Sequence, residues 1–287
     1  MDSTSSKTFT VLPMGQNISL TPGTTYEGEI SIAIPSDATE SFSYEVTVAP
    51  YSVVDDEYTA DLISTGAYTQ IVDWITIDEP TGTIAPNGTK KIYFSINVPE
   101  DAPVGGQYAS LLVGQNPDTL ENQGISIQNL MQIASVIYAN VEGEIVTGGE
   151  ILENTMPGFS FVNSISTEAI LKNDGNSHSI ASFNIKVTNF FTGEVIFPKD
   201  NEEGIFTEVI IPETTSTISR EIDNLPVLGL VNVSQKITFE GETVENVTNV
   251  LICPIWFLAL VFLSICSIIW FILSRIKARK KRSSLVY

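Results

Sequence analysis

Along most of this chain, apolar and polar residues alternate one by one. Tyr26–Ile34 sets Tyr26, Ile30, Ile32 and Ile34 on one side and Glu27, Glu29 and Ser31 on the other. Ser41–Ala49 does the same with Phe42, Tyr44, Val46 and Val48, and Lys91–Val98 with Ile92, Phe94, Ile96 and Val98. Ser179–Thr188 alternates through Ala181, Phe183, Ile185 and Val187, and Asn232–Glu240 through Val233, Ile237 and Phe239. A period of two turns successive side chains to opposite faces, so each segment predicts a half-buried antiparallel strand. No segment before Val250 carries an apolar stripe at helical spacing.

The breaks between these runs are turn chemistry. Thr21-Pro22-Gly23, Ala85-Pro86-Asn87-Gly88, Asn173-Asp174-Gly175-Asn176 and Thr192-Gly193 each supply a fixed or positive φ. Short strands between such turns predict sandwiches. Residues 8–249 are too many for one Ig-sized sandwich of about 100 residues and suit two. The predicted fold class is all-β, with two tandem Ig-like β-sandwich domains followed by one C-terminal transmembrane helix. Residues 1–7 form a linker, 8–146 the first sandwich, 147–249 a membrane-proximal sandwich, 250–273 the span and 274–287 a basic cytoplasmic tail. The seam falls at Thr147-Gly148-Gly149. The first sandwich carries a loop-rich insertion over Tyr51–Asp73 and a second irregular stretch over Gln115–Gly124.

The alternation stops at Val250. From there to Leu273 the chain is apolar and uncharged, and as a helix this run would span ~36 Å, enough for a bilayer core with some tilt. Trp256 and Trp270 stand near opposite ends, as interfacial anchors do, and Pro254 lies in the first turn, where proline is tolerated. Arg275, Lys277, Arg279, Lys280, Lys281 and Arg282 follow at once. A basic cluster beside a span stays in the cytoplasm, which puts the preceding residues outside. The opening MDSTSSKTFTV has no apolar export segment, so an exterior location expects a signal that was removed or a different gene start. The rival topology is a tail-anchored protein with its domains in the cytosol.

Six of the 14 cationic residues follow the span, which leaves eight against all 34 acidic residues, a net −26 before the membrane. Such a surface excludes nucleic acid as a partner, since phosphate binding needs Lys and Arg. Cys253 and Cys266 both lie in the span, so no disulfide or Cys-based metal site is expected outside it, a usage common in bacterial exported proteins. His178, the sole histidine, sits in the Asn173–Ser179 turn and reads as a turn residue, because no nucleophile elbow or oxyanion loop accompanies it. Asp55-Asp56-Glu57 and Asp200-Asn201-Glu202-Glu203 read as solvated loops rather than paired catalytic carboxylates or a calcium loop. No catalytic residue, cofactor or metal site is expected.

The insertion supplies the candidate contact surface. Tyr51, Tyr58 and Tyr68 stand there beside acidic residues, and Trp74 follows at its end. Trp74 has two readings, a plug between the sheets or an exposed anchor at a glycan or protein surface.

Phe9–Pro13 (FTVLP), Ser19–Ile32 (SLTPGTTYEGEISI), Trp74–Gly114 with its VPEDAPVGGQY block, and Met131–Ile145 resemble the peptidoglycan-binding half of the WxL-interacting protein family. Ala169–Val195 is similar to the family's membrane-proximal half. The resemblance implies two sandwiches, one span, a short basic tail, and binding of cell-wall polymer. The functional expectation is a non-enzymatic bacterial cell-surface attachment or scaffold protein. It is anchored by a single pass and holds cell wall, a partner surface protein or another cell. The alternative is a membrane-tethered assembly factor or chaperone whose sheet edge lends a strand to an exported client.

Overall fold

The computed structural model describes residues 9–54, 57–60, 66–116, 132–199 and 204–283. The expected linker 1–7, the acids Asp55, Asp56, Asp200, Glu202 and Glu203, and most of the stretch Gln115–Gly124 lie outside the described residues. The described residues are mostly β, with a single long helix following the last strand.

It forms two compact units. The first comprises Met1–Glu150, Leu171–Ile180 and Val209–Thr217, and the second Ile151–Ile170, Ala181–Glu208 and Ile218–Tyr287. The alternation pattern placed one seam after residue 146. The break instead falls after Glu150, and the turn around Asn173–Ser179 counts with the first unit. Backbone hydrogen bonds explain this: Asp174 donates to Gly148 O, Asn176 to Val146 O and Gly106 to Asn176 O.

The strands of residues 9–150 are β1 (Thr10–Leu12), β2 (Gly15–Leu20), β3 (Thr25–Ala33), β4 (Phe42–Val54), β5 (Glu57–Ala60), β6 (Ile75–Ile77), β7 (Thr81–Ile84), β8 (Thr89–Asn97), β9 (Gly105–Gln115) and β10 (Gln132–Val141). One sheet has the order β1-β3-β8-β6. The other runs β2-β10-β9-β4-β5, with β7 also on β4. The alternating positions fill the space between them: Ile30, Ile32, Phe94 and Ile96 from the first sheet, and Tyr44, Val46, Leu111 and Ile137 from the second, are all buried in one cluster. Each such aliphatic or aromatic side chain contributes roughly 1.5–3 kcal/mol on leaving water. The predicted turns take the backbone they require, with φ of 75° at Gly23 and 58° at Asn87.

The insertion Tyr51–Asp73 is not the loop that its sequence suggested. β4 continues through Pro50 to Val54 and pairs antiparallel with β5, with Tyr51 opposite Ala60 and Tyr58 opposite Val53. A 3-10 turn over Gln70–Trp74 then closes the end of the sandwich, burying Ile71 and Trp74. Gln107 of β9 holds this segment: its side-chain nitrogen donates to Ala67 O at 2.9 Å, and its oxygen accepts from Ile71 N at 3.2 Å. A buried amide satisfied at both ends fixes the approach to the turn.

The remaining strands are β11 (Gly149–Thr155), β12 (Phe159–Ser160), β13 (Ile165–Asn173), β14 (Ser179–Asn189), β15 (Val195–Phe197), β16 (Ile205–Ile210), β17 (Thr214–Ile222), β18 (Gly229–Phe239) and β19 (Glu242–Ile252). They make a sheet β11-β13-β17 and a sheet β12-β19-β18-β14-β15, with β16 on β14. Ile165, Ile185, Val187, Val231, Val233, Val250 and Ile252 share one core. In both sandwiches an early strand runs parallel to the last one: β2 beside β10, and β12 beside β19.

The helix α1 spans Ile255–Ser283. The predicted span therefore began too early. Val250 and Ile252 finish β19 and point into the core, and Pro254 ends the strand. The Pro254 carbonyl accepts from Phe257 and Leu258 and so starts the helix. The helix also continues through the basic positions 275–282, where a separate tail was expected. Ile255–Arg275 is long and apolar enough to cross a membrane, with 21 residues and a mean hydropathy of 2.6, and none of it is buried among the described residues. An all-round apolar helix without protein cover suits lipid.

Candidate functional site

The four residues of the expected contact surface separate. Trp74 is 9% exposed and belongs to the core cluster, which removes it from any contact surface. It sits where β8 and β9 need an apolar end plug, so the core reading holds for it and the anchor reading does not. Tyr68 is half-buried. Its carbonyl accepts from Tyr108 N at 2.7 Å, and burial together with a hydrogen bond to Glu213 pushes its phenol pKa up. The side chain of Tyr58 lies outside the described residues. Tyr51 is half-buried on β4 and faces Tyr138 of β10.

Tyr51 is part of an aromatic row that the sequence did not reveal. Tyr108 on β9 lies directly opposite Tyr138 on β10. The Tyr51 and Tyr138 rings meet edge-on with centroids 5.8 Å apart, and Tyr108 and Tyr138 at 6.1 Å. His178 closes the row, 5.8 Å from Tyr108 and 5.7 Å from Tyr138, with Nδ1 at 3.4 Å from the Tyr108 hydroxyl. Edge-to-face contact suits these rings. Burial lowers the His178 pKa, because the charged imidazolium is costly away from water. His178 is therefore a packing residue rather than a plain turn residue. Only spatial register shows this, since Tyr51, Tyr108, Tyr138 and His178 are far apart in sequence.

β10 carries the second notable feature. From Val136 to Val141 it is flanked by β9 and β2, and the Ser135 hydroxyl donates to Pro13 O just before β2, whereas Gln132–Ala134 has β9 on one side only among the described residues. The Val136 N–H points to β2, donating to Met14 O at 2.9 Å. By the alternation of a strand, the N–H and C=O groups of Gln132 and Ala134 point the same way, into the notch beyond the start of β2. β10 has no charged residue, although the chain is at −20. By contrast β19, paired by β12 only at its last residues, carries Glu242 and Glu245. Charges are the usual device that keeps an edge from pairing, and β10 lacks it.

The basic residues Lys277, Arg279, Lys280, Lys281 and Arg282 lie on the last turns of α1. Arg275 places its guanidinium 5.1 Å from the Phe271 ring centre. Trp256 and Trp270 are both exposed along the helix.

No protein-family model matches the chain, and no curated protein matches it. Solved structures do align with it. The class 5 fimbriae chaperone CfaA is 12% identical over 84% of this chain and 99% of its own, with a TM-score of 0.38. The CsuC–CsuE chaperone–tip adhesion subunit pre-assembly complex of Acinetobacter baumannii is 11% identical over 85% and 98%, at 0.39. The E. coli chaperone DraB is 13% identical over 85% and 98%, at 0.37.

Proposed function

We propose that this is a non-enzymatic, membrane-tethered assembly factor that holds an exported protein client by adding the client's strand to β10. The observation that supports it is the uncharged notch at Gln132–Ala134, where a donor and acceptor row faces outward beyond the start of β2. An incoming extended segment would continue the line of β2 and take main-chain hydrogen bonds from Gln132 and Ala134. α1 keeps the sandwiches at the membrane through which the client emerges.

A second reading is attachment to another surface protein. The half-buried Tyr51 and Tyr138 rings favour it, since tyrosines give rigid contact area on the outer face of the sheet.

Ala134→Pro separates the two. It removes an N–H that points into the notch and leaves the β9 ladder intact, so the fold tolerates it as an edge position. A photo-crosslinking residue at Gln132 should trap an exported protein in intact cells, and Ala134→Pro should abolish the adduct. A deletion strain that keeps every surface protein but loses attachment would overturn the assembly reading in favour of the second.

A further inference from the structure

One end of the second unit displays apolar side chains to solvent. The register of its sheet brings four segments to that end. Gly229 pairs with Ile252 at the start of β18 and the end of β19. Val231 pairs with Asn189, the last residue of β14. Ser160 pairs in parallel with Ile252, so the chain after β12 continues beyond the end of β19. Phe161 and Val162, Phe190 and Phe191, and Val227 and Leu228 therefore emerge together, at the end from which α1 departs.

All six are exposed, with Phe191 at 80%, Val162 at 58% and Val227 at 56%. Their exposure is built in. Asn189 Oδ1 accepts from the N–H groups of Phe191 and Thr192 at 2.9 and 3.1 Å, and Gly193 N donates to Asn189 O, so the turn is pinned by polar groups while its rings face out. The Ser160 hydroxyl donates to Ser164 O at 2.7 Å and accepts from Val162 N, which holds the Phe161–Val162 turn in the same way. Leu225 N donates to Asn163 O and ties the Val227–Leu228 loop to that turn. Rigid turns that aim phenylalanine and valine into water mark a surface that is covered by something else.

We propose that Phe161, Val162, Phe190, Phe191, Val227 and Leu228 form an apolar collar that seats the second unit on the lipid bilayer. The proposal rests on the reading that α1 crosses that bilayer. Continuity selects lipid as the occupant: Cys253 N donates to Ser160 O, and two residues later Ile255 opens the exposed apolar surface of the helix. No linker separates the sandwich end from the span, so the six side chains lie at the depth where the helix enters. Aromatic and aliphatic side chains at the headgroup–acyl boundary are stabilised by leaving water. Glu194, Glu221 and Asp223 are exposed near the collar and would repel anionic headgroups, which favours a zwitterionic surface.

The test uses the full chain with Cys253→Ala and Cys266→Ala, reconstituted in phosphatidylcholine vesicles, with circular dichroism on every variant. Single nitroxide labels go on Phe191→Cys and Val227→Cys in the collar. Ser264→Cys labels the helix centre, and Glu242→Cys the far end of the β18–β19 hairpin. Collision with lipid-soluble oxygen relative to a water-soluble nickel chelate should rise several-fold at 191 and 227 over the value at 242. High oxygen access at 264 with water-like values at 191 and 227 would overturn the collar while leaving the span intact. A water-like value at 264 would remove the span, and the collar with it. Shielding of 191 from both reagents, with a dimer by light scattering, would place a second copy there and overturn the lipid assignment. Phe191→Trp in the native-cysteine chain gives an independent reading. Brominated lipid chains should quench its added emission, and unquenched emission counts against the collar.

Discussion

Gly28 on β3 lies directly across from Phe94 on β8, and the phenylalanine ring rests over the glycine where a side chain would stand. A Cβ at residue 28 would come within 2.3 Å of Phe94 Cζ and within 2.9 Å of two further ring atoms. The ring is buried, so it would have to shift within the packed core to make room. The glycine thus serves packing, not a turn: it lets a large ring lie flat on the sheet in the middle of the core.

Gly28→Ala should therefore destabilise the first unit by about 1–3 kcal/mol, the usual cost of overpacking a filled core. Chemical denaturation measured by circular dichroism checks it. An unchanged midpoint would show that Phe94 has a second rotamer available.

Trp74→Ala should cost about 3–5 kcal/mol, as truncation of a buried aromatic residue does. An exposed anchor would change stability within about 0.5 kcal/mol. Thermal unfolding of the variant distinguishes the two, and a near-native melting temperature would return Trp74 to the surface.

The core strands were legible because alternation reports directly on a sheet with one buried face. Ile92, Phe94 and Ile96, or Phe183, Ile185 and Val187, are buried as their spacing implied. β9 was not legible. Gly105–Gly114 is buried on both faces, so its sequence has no alternation to read. The β4–β5 hairpin was hidden by Pro50 and by Asp55-Asp56, which look like loop chemistry. The start of α1 was hidden by composition, since Val250-Leu251-Ile252 is as apolar as the helix, and only Pro254 marks the change. Of the candidate site, single tyrosines were visible, but the row joining Tyr51, Tyr108, Tyr138 and His178 depends on register across three strands and a distant turn.

That row gives a pH dependence with a definite sign. An unfolded histidine titrates near pH 6.5, and burial lowers the folded value of His178. The unfolded chain then binds the proton more readily than the folded one. The contribution of this site is fully present above about pH 6.5 and is lost as the pH falls from there through the lowered folded value. His178→Phe keeps a ring against Tyr108 and Tyr138 without the titration. The melting temperature of the parent should fall more than that of His178→Phe between pH 7.5 and pH 5.5. Equal falls would show that the imidazole is already well solvated.

Topology supplies the last prediction. α1 presents an uncharged apolar surface from Ile255 to Ser274, and all six cations of its region stand after that stretch. Moving six cations across a bilayer is far costlier than leaving them on the side of synthesis, so Arg275–Arg282 should remain cytoplasmic. The sandwiches, with all 34 acidic residues, then stand on the opposite side. Protease added to intact cells should degrade an epitope placed in the β18–β19 turn and spare one fused after Tyr287. The reverse pattern would put the sandwiches in the cytosol. It would also remove the proposed exported client, because β10 would then never meet a chain emerging outside the membrane.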